Sequence, residues 1–98
     1  MIGVFVTFQY DDDLDRARVE KVAAESSSMF EGMAGLRSKA FTFDEAARRA
    51  TNFYVWDSED AARSFFTPDL SELVTGLYGV APTIDYVEIA ELVDNAGA

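Results

Sequence analysis

The chain has 98 residues, 49% of them hydrophobic and 27% charged, the balance of a soluble globular domain rather than of a disordered or fibrous chain. Its 18 acidic and 8 basic side chains give a formal charge of −10, the wrong sign for duplex nucleic acid or an anionic membrane surface. With no cysteine and no histidine it lacks disulfides, thiolate chemistry, the usual general base and the commonest metal and haem ligand, so serine–histidine hydrolysis, zinc hydrolysis and histidine-ligated haem chemistry fall away.

Met1 to Gln9 alternates Ile2, Val4, Val6 and Phe8 on one face and predicts a first strand, with no export signal ahead of it and a cytoplasmic location expected. The run Asp11, Asp12, Asp13, Leu14, Asp15 supplies a cap and first-turn acids for a first helix. Its superficial likeness to a calcium loop fails at Arg16, where glycine is required, and at Val22, where the bidentate glutamate belongs. Val19, Val22, Ala23, Ser26, Met29 or Phe30, and Met33 recur at helical steps, and Gly32 or Gly35 ends the helix.

Leu36 to Phe43 predicts a second strand with Arg37, Lys39, Phe41 and Phe43 on one face, followed by a loop over Glu45 to Arg49. Ala50 to Asp57 predicts a third strand, with Asn52, Tyr54 and Trp56 sharing one face. Asp57 or Ser58 caps a helix carrying Ala61, Ala62, Phe65 and Phe66, and Pro68 breaks and restarts it. Leu70, Leu73, Val74, Leu77 and Tyr78 then form an amphipathic stripe that Gly79 stops. Thr83 to Glu91 predicts a fourth strand, with Asp94 to Ala98 a frayed tail.

The order β-α-β-β-α-β over residues 1–98 predicts one ferredoxin-like α+β domain, a four-stranded antiparallel sheet with its helices on one face. Strands that are apolar on both sides in so short a chain predict a homodimer whose two sheets pack together as a dimeric α+β barrel.

The segments G-L-R-S-K-A-F-T-F-D-E from Gly35, T-N-F-Y-V-W-D-S-E-D-A-A-R-S-F-F from Thr51 and V-A-P-T-I-D-Y-V-E-I from Val80 resemble the YdhR-like mono-oxygenases of the dimeric α+β barrel superfamily. That superfamily includes antibiotic-biosynthesis mono-oxygenases that oxidise phenolic substrates without metal or flavin. The resemblance implies a cofactor-independent mono-oxygenase acting on a small aromatic or polyketide-like molecule, with Asn52 four residues before Trp56 matching a spacing that recurs in its cofactor-free oxygenases. Phe66 stands where haem-degrading members carry histidine, and Ala62 where some aromatic oxygenases carry tyrosine, so haem degradation is not expected.

On this reading Asn52, Trp56 and Lys39 are the catalytic candidates: the amide stabilises an oxyanion, the indole positions the ring and the amine lowers the substrate pKa. Tyr54 and Arg37 are candidate substrate-binding residues, and Met29, Phe30, Met33, Phe65 and Phe66 form an apolar wall. No cofactor and no metal are expected. The alternative is a non-catalytic dimeric module that binds, senses or sequesters a small molecule.

Overall fold

The computed structural model describes residues 1–95, so the last three residues of the expected tail lie outside the described residues. The elements run β1 (Ile2–Gln9), α1 (Arg16–Phe30), β2 (Leu36–Asp44), β3 (Arg49–Trp56), α2 (Glu59–Phe65), α3 (Pro68–Tyr78) and β4 (Thr83–Glu88). They form one four-stranded sheet in the order β2-β3-β1-β4, antiparallel at every pairing, which is the ferredoxin-like α+β fold.

The helix boundaries follow from local chemistry. Asp15 caps α1 by accepting from the Arg18 amide, so the helix begins at Arg16 and the acids Asp11 to Asp13 precede it rather than occupying its first turn. Glu31 is its C-cap, and Gly32 and Gly35, both at positive φ, belong to the turn that follows rather than to the helix end. Ser58 and Thr67 cap α2 and α3, and Pro68 takes the first helical position of α3, where its missing N–H costs nothing. Gly79 closes α3 at φ 86°, the left-handed conformation that terminates helices.

One irregularity changes which side chains point inward. Leu36 pairs with Trp56 but Ser38 pairs with Val55, so Arg37 is the extra residue of a β-bulge. The strict alternation expected for Arg37, Lys39, Phe41 and Phe43 therefore holds only from Lys39 onward; Leu36 takes the inward place and Arg37 turns out to solvent, 3.7 Å from Asp57. The fourth strand also stops at Glu88, short of the expected Glu91.

The core lies between sheet and helices. Ile2, Val4, Val6 and Phe8 of β1 and Ala50, Tyr54 and Trp56 of β3 pack with Leu14, Val19, Ala62 and Tyr78 in a single cluster. Burying such side chains contributes about 1.5–3 kcal/mol for each large aliphatic or aromatic one. The opposite sheet face also carries rings: Phe5 and Phe53 meet at 4.6 Å between centroids, and Phe5 and Val87 stay 38% and 40% exposed. A Cβ on Gly3 would approach Val87 Cγ2 to 2.9 Å and Phe53 Cε1 to 3.1 Å, so this face is already crowded at its centre. Among the described residues no helix is long and apolar enough to cross a membrane.

Candidate functional site

The sheet leaves space where β2 and β3 pass beneath α1 and α3. A narrow cleft, with a volume of about 40 Å³ inside its open mouth, has Lys39, Phe41, Asn52 and Tyr54 on its sheet side. Phe30 and Ser26 from α1, Phe65 from α2, and Val74 and Tyr78 from α3 complete its walls. Its lips are apolar: Met29, Leu73 and Leu77 line it while remaining 57%, 57% and 41% exposed. An opening rimmed by uncovered methionine and leucine favours an apolar occupant.

Lys39 is the one cationic side chain on the cleft. Its Nζ lies 3.5 Å from the ring centroid of Phe30, 4.1 Å from that of Phe41 and 4.4 Å from that of Tyr54. Among the described residues it makes no ion pair and no hydrogen bond, and Asp85 and Glu88 sit on β4, at the far edge of the sheet from β2. Burial pushes its ammonium down from the ordinary lysine value to about 7. The three ring faces act the other way, favouring the cation by about 0.5–2 kcal/mol each at most, and the loss of hydration outweighs them.

Asn52 is the buried polar residue of the core, 3% exposed. Its Nδ2 donates to the Tyr78 hydroxyl at 3.1 Å, and the same hydroxyl stands 3.4 Å from Oδ1 as an alternative donor. The amide has two N–H donors and two lone pairs on Oδ1, more than the single hydroxyl engages, so part of it stays available to the cleft. Tyr78 is held in place by stacking on Phe8, with centroids 3.8 Å apart and planes 3° off parallel. Burial raises the Tyr78 phenol pKa, with the Asn52 hydrogen bond opposing the rise; burial lifts Tyr54 well above the usual phenol range, with Tyr78 adding to it. Both phenols are protonated, neutral donors at physiological pH.

Trp56 does not border the cleft. It is 1% exposed, lies nearly parallel to Tyr54 at 6.0 Å and 13°, and packs on Phe65 at 5.3 Å and on Phe66 at 6.0 Å. Among the described residues its Nε1 has no hydrogen-bond partner. The structure thus brings together Lys39, Asn52, Tyr54, Met29, Phe30 and Phe65, and sets Trp56, Phe66 and Met33 behind them in the core. Arg37 faces a second, outer depression of about 370 Å³ with Ser38 and Glu31. Phe30, Lys39 and Phe41 line both spaces, so they form the partition between them.

Several residues lining the cleft were not singled out as site residues from the sequence, and of these Phe41 and Tyr78 make the closest contacts with the candidate residues. Phe41 was legible as the same-face neighbour of Lys39 two residues on, whereas Tyr78 carried only the signal of the last apolar residue before a helix-ending glycine. Its pairing with Asn52 spans 26 residues and exists only in three dimensions.

No protein-family model matches the sequence, and no curated protein matches it significantly. Among solved structures, the chain is similar to a monooxygenase from the gene ActVA-Orf6 of Streptomyces coelicolor in complex with nanaomycin D, at 19% identity and TM-score 0.67, covering 97% of this chain and 92% of that one. A variant of SnoaB, a cofactor-independent oxygenase from Streptomyces nogalater, aligns at 16% identity and TM-score 0.66 over 94% of this chain and 95% of that one. A protein of unknown function from Nitrosomonas europaea, NE2512, aligns at 13% identity and TM-score 0.67 over 98% and 95%. At such identities what the chain shares with these proteins is the fold, a ferredoxin-like α+β domain that in two of them houses an oxygenase.

Proposed function

We propose that the chain is a cofactor-independent mono-oxygenase of a small phenolic or enolisable polyketide-like molecule, close to the YdhR-like group its segments resemble. One observation carries the reading: an amine without a counter-ion, Lys39, stands in an aromatic-lined cleft together with the Asn52–Tyr78 pair. The likeness in fold to a monooxygenase holding nanaomycin D and to a cofactor-independent oxygenase supports it.

The chemistry asks little of the protein beyond charge placement. Lys39, neutral in part at pH 7, takes the phenol proton and becomes the ammonium beside the resulting phenolate. The electron-rich anion reduces dioxygen directly. One oxygen atom enters the ring carbon opposite the phenol oxygen, and the other leaves as water with two hydrogens of the substrate, so the product is a quinone and the balance closes without a cofactor. The Asn52 amide donates to the developing oxyanion, and the apolar walls keep bulk water from competing. Trp56 acts through Tyr54 as a positioning residue.

Oxygen uptake with a naphthol or anthrol probe, in chelator and without flavin, tests this. Uptake is expected to fall on the order of 10²–10³-fold in Lys39→Met and Asn52→Ala with folding intact, and by less in Trp56→Phe. Equal uptake in wild type and both variants would overturn the assignment. A second reading, a non-catalytic small-molecule-binding module, is favoured by the engagement of the Asn52 amide with Tyr78; tight probe binding with no oxygen uptake would select it.

The whole of residues 1–98 acts as one domain in this proposal, and it works as a homodimer. Support for pairing comes from the exposed Phe5 and Val87 and the Phe5–Phe53 ring contact on the sheet face that no helix covers.

A further inference from the structure

The cleft poses a problem that proton transfer to a phenol does not exhaust: an alkylamine is held in an apolar space with nothing to neutralise it. Lysines in such surroundings act as nucleophiles as well as bases, because the uncharged amine has a free lone pair. From α1, Phe30, Met29 and Ser26 reach the cleft, and from α3, Val74, Leu77 and Tyr78; none carries a carboxylate. On the sheet side its neighbours are Phe41, Asn52 and the protonated phenol of Tyr54. The nearest formal charges on a shared wall are Glu31 and Arg37, on the outer depression, and they are of opposite sign.

We propose that Lys39 is a carbonyl-capturing amine, forming a reversible imine with apolar, aryl-bearing aldehydes or ketones that enter the cleft between α1 and α3. The Nζ lone pair adds to the carbonyl carbon, and the N–H proton passes to the oxygen to give a carbinolamine. The C–O bond then breaks, the remaining N–H proton is passed to the departing hydroxyl, which leaves as water, and a C=N bond joins Lys39 to the ligand. No oxidant or reductant enters. The Tyr78 hydroxyl and the Asn52 amide, on the same cleft, are the donors available to the carbonyl oxygen. The apolar lips at Met29, Leu73 and Leu77 select an aryl group over a hydrophilic carbonyl compound. This activity uses the cleft but not dioxygen, so it stands or falls apart from the oxygenase reading.

The sequence supplies its own control, since Lys39 and Lys21 are its only two lysines. Lys21 is solvent-exposed on α1, its side chain 73% accessible and 4.0 Å from Glu25. At pH 7 an amine whose pKa is lowered to about 7 is roughly half neutral. An ordinary lysine is neutral to less than about one part in a thousand.

The experiment is reductive trapping of the intact protein with benzaldehyde and cyanoborohydride at pH 7, with peptide mapping by mass spectrometry to resolve Lys39, Lys21 and the N-terminal amine. Benzyl modification of Lys39 is expected at least about tenfold faster than of Lys21, allowing for the weaker intrinsic nucleophilicity of a less basic amine. Glycolaldehyde, small and hydrophilic, shares the advantage of the neutral amine but not that of the apolar cleft, so its preference for Lys39 is expected to be smaller. In a pH series the Lys39 rate is expected to level off above pH 8. Lys39→Arg, which keeps the charge and is checked for folding by circular dichroism, leaves only Lys21 and N-terminal labelling. Benzaldehyde labelling of Lys21 as fast as Lys39, or a Lys39 preference equal for both aldehydes, would overturn the proposal. Trapping at Lys39 with no oxygen uptake from a naphthol would leave it standing and remove the oxygenase reading.

Discussion

A lysine amine set over three aromatic rings with no carboxylate in reach bears on stability as well as on chemistry. The folded state holds Lys39 near pKa 7 while the unfolded chain binds its proton up to the ordinary lysine value of 10.5. Between these limits the unfolded state carries more protons, so the contribution of this group to folding stability rises with pH. Below pH 7 both states are charged and the cost of burying the cation is felt in full. The tyrosines with raised pKa act in the opposite sense above about pH 10, where the unfolded chain loses phenol protons first. Urea unfolding of the wild type is therefore expected to show stability climbing from pH 6.5 to 9. Lys39→Met should flatten that slope and be more stable at pH 6.5 by about 1–3 kcal/mol, a discounted figure because the side chain is not fully enclosed. A slope unchanged in the variant would mean that Lys39 is an ordinary, hydrated lysine. Asn52 and Tyr78 form the other residue-scale pair: Asn52→Ala or Tyr78→Phe strands a buried polar group and is expected to cost about 1–3 kcal/mol. Since each single change already breaks the 3.1 Å bond, the double variant should cost less than the sum, which a double-mutant cycle by thermal unfolding reads directly.

At the scale of elements, the cleft depends on how α3 is held against α1. Arg18 on α1 reaches across to the end of α3, its Nε donating to the Leu77 carbonyl at 3.0 Å and its Nη2 to the Gly76 carbonyl at 3.2 Å. A cation at a helix C-terminus satisfies carbonyls that have no partner within the helix and opposes the negative end of the dipole. Tyr10 reinforces the same junction by donating to the Tyr78 carbonyl at 2.8 Å. Arg18→Ala is expected to speed amide hydrogen exchange selectively over residues 73–79 while β1 and β3 keep their protection; uniform loss of protection would show that the contact serves global stability instead. At the other end of α3, Thr67 accepts from the Leu70 amide at 3.2 Å, and Thr67→Ala should cost about 1 kcal/mol, a shift of about 4–8 °C in Tm by calorimetry. The elements themselves were legible because most carry their own punctuation: alternation for the strands, the acidic run ending at Asp15 and Asp57 or Ser58 as caps, Pro68 and Gly79 as breaks, while the Thr67 cap of α3 emerges only in the structure. The bulge at Arg37 was not, since nothing in L-R-S-K distinguishes a bulged strand from a regular one until its partner strand is present.

For the whole molecule, the uncovered sheet face carries the proposal of a homodimer. Phe5→Glu, outside the cleft and outside the inner core, is expected to convert a dimer to a monomer of 10.8 kDa by light scattering at micromolar concentration, with the circular dichroism spectrum retained. A wild-type chain that is already monomeric would remove that use of the face. The sequence by itself determined the fold class, the order of elements and the inward face of β1 and β3, because each follows from period, caps and composition within a few neighbouring residues. It also set the limits on chemistry, since no arrangement of this chain supplies an imidazole or a thiol. Tertiary structure alone decided which of the same-face residues meet a cavity. Asn52 and Tyr54 do, while Trp56, on the same side of the same strand, is sealed behind Phe65 and Phe66 because α2 packs across that end of β3. It likewise decided that Lys39 and not Arg37 points inward, and that the lysine has rings rather than carboxylates around it. The physical reason is one of range: strand period and helix capping act over a few residues, whereas desolvation of an amine is set by everything within several ångströms, gathered here from five separate elements.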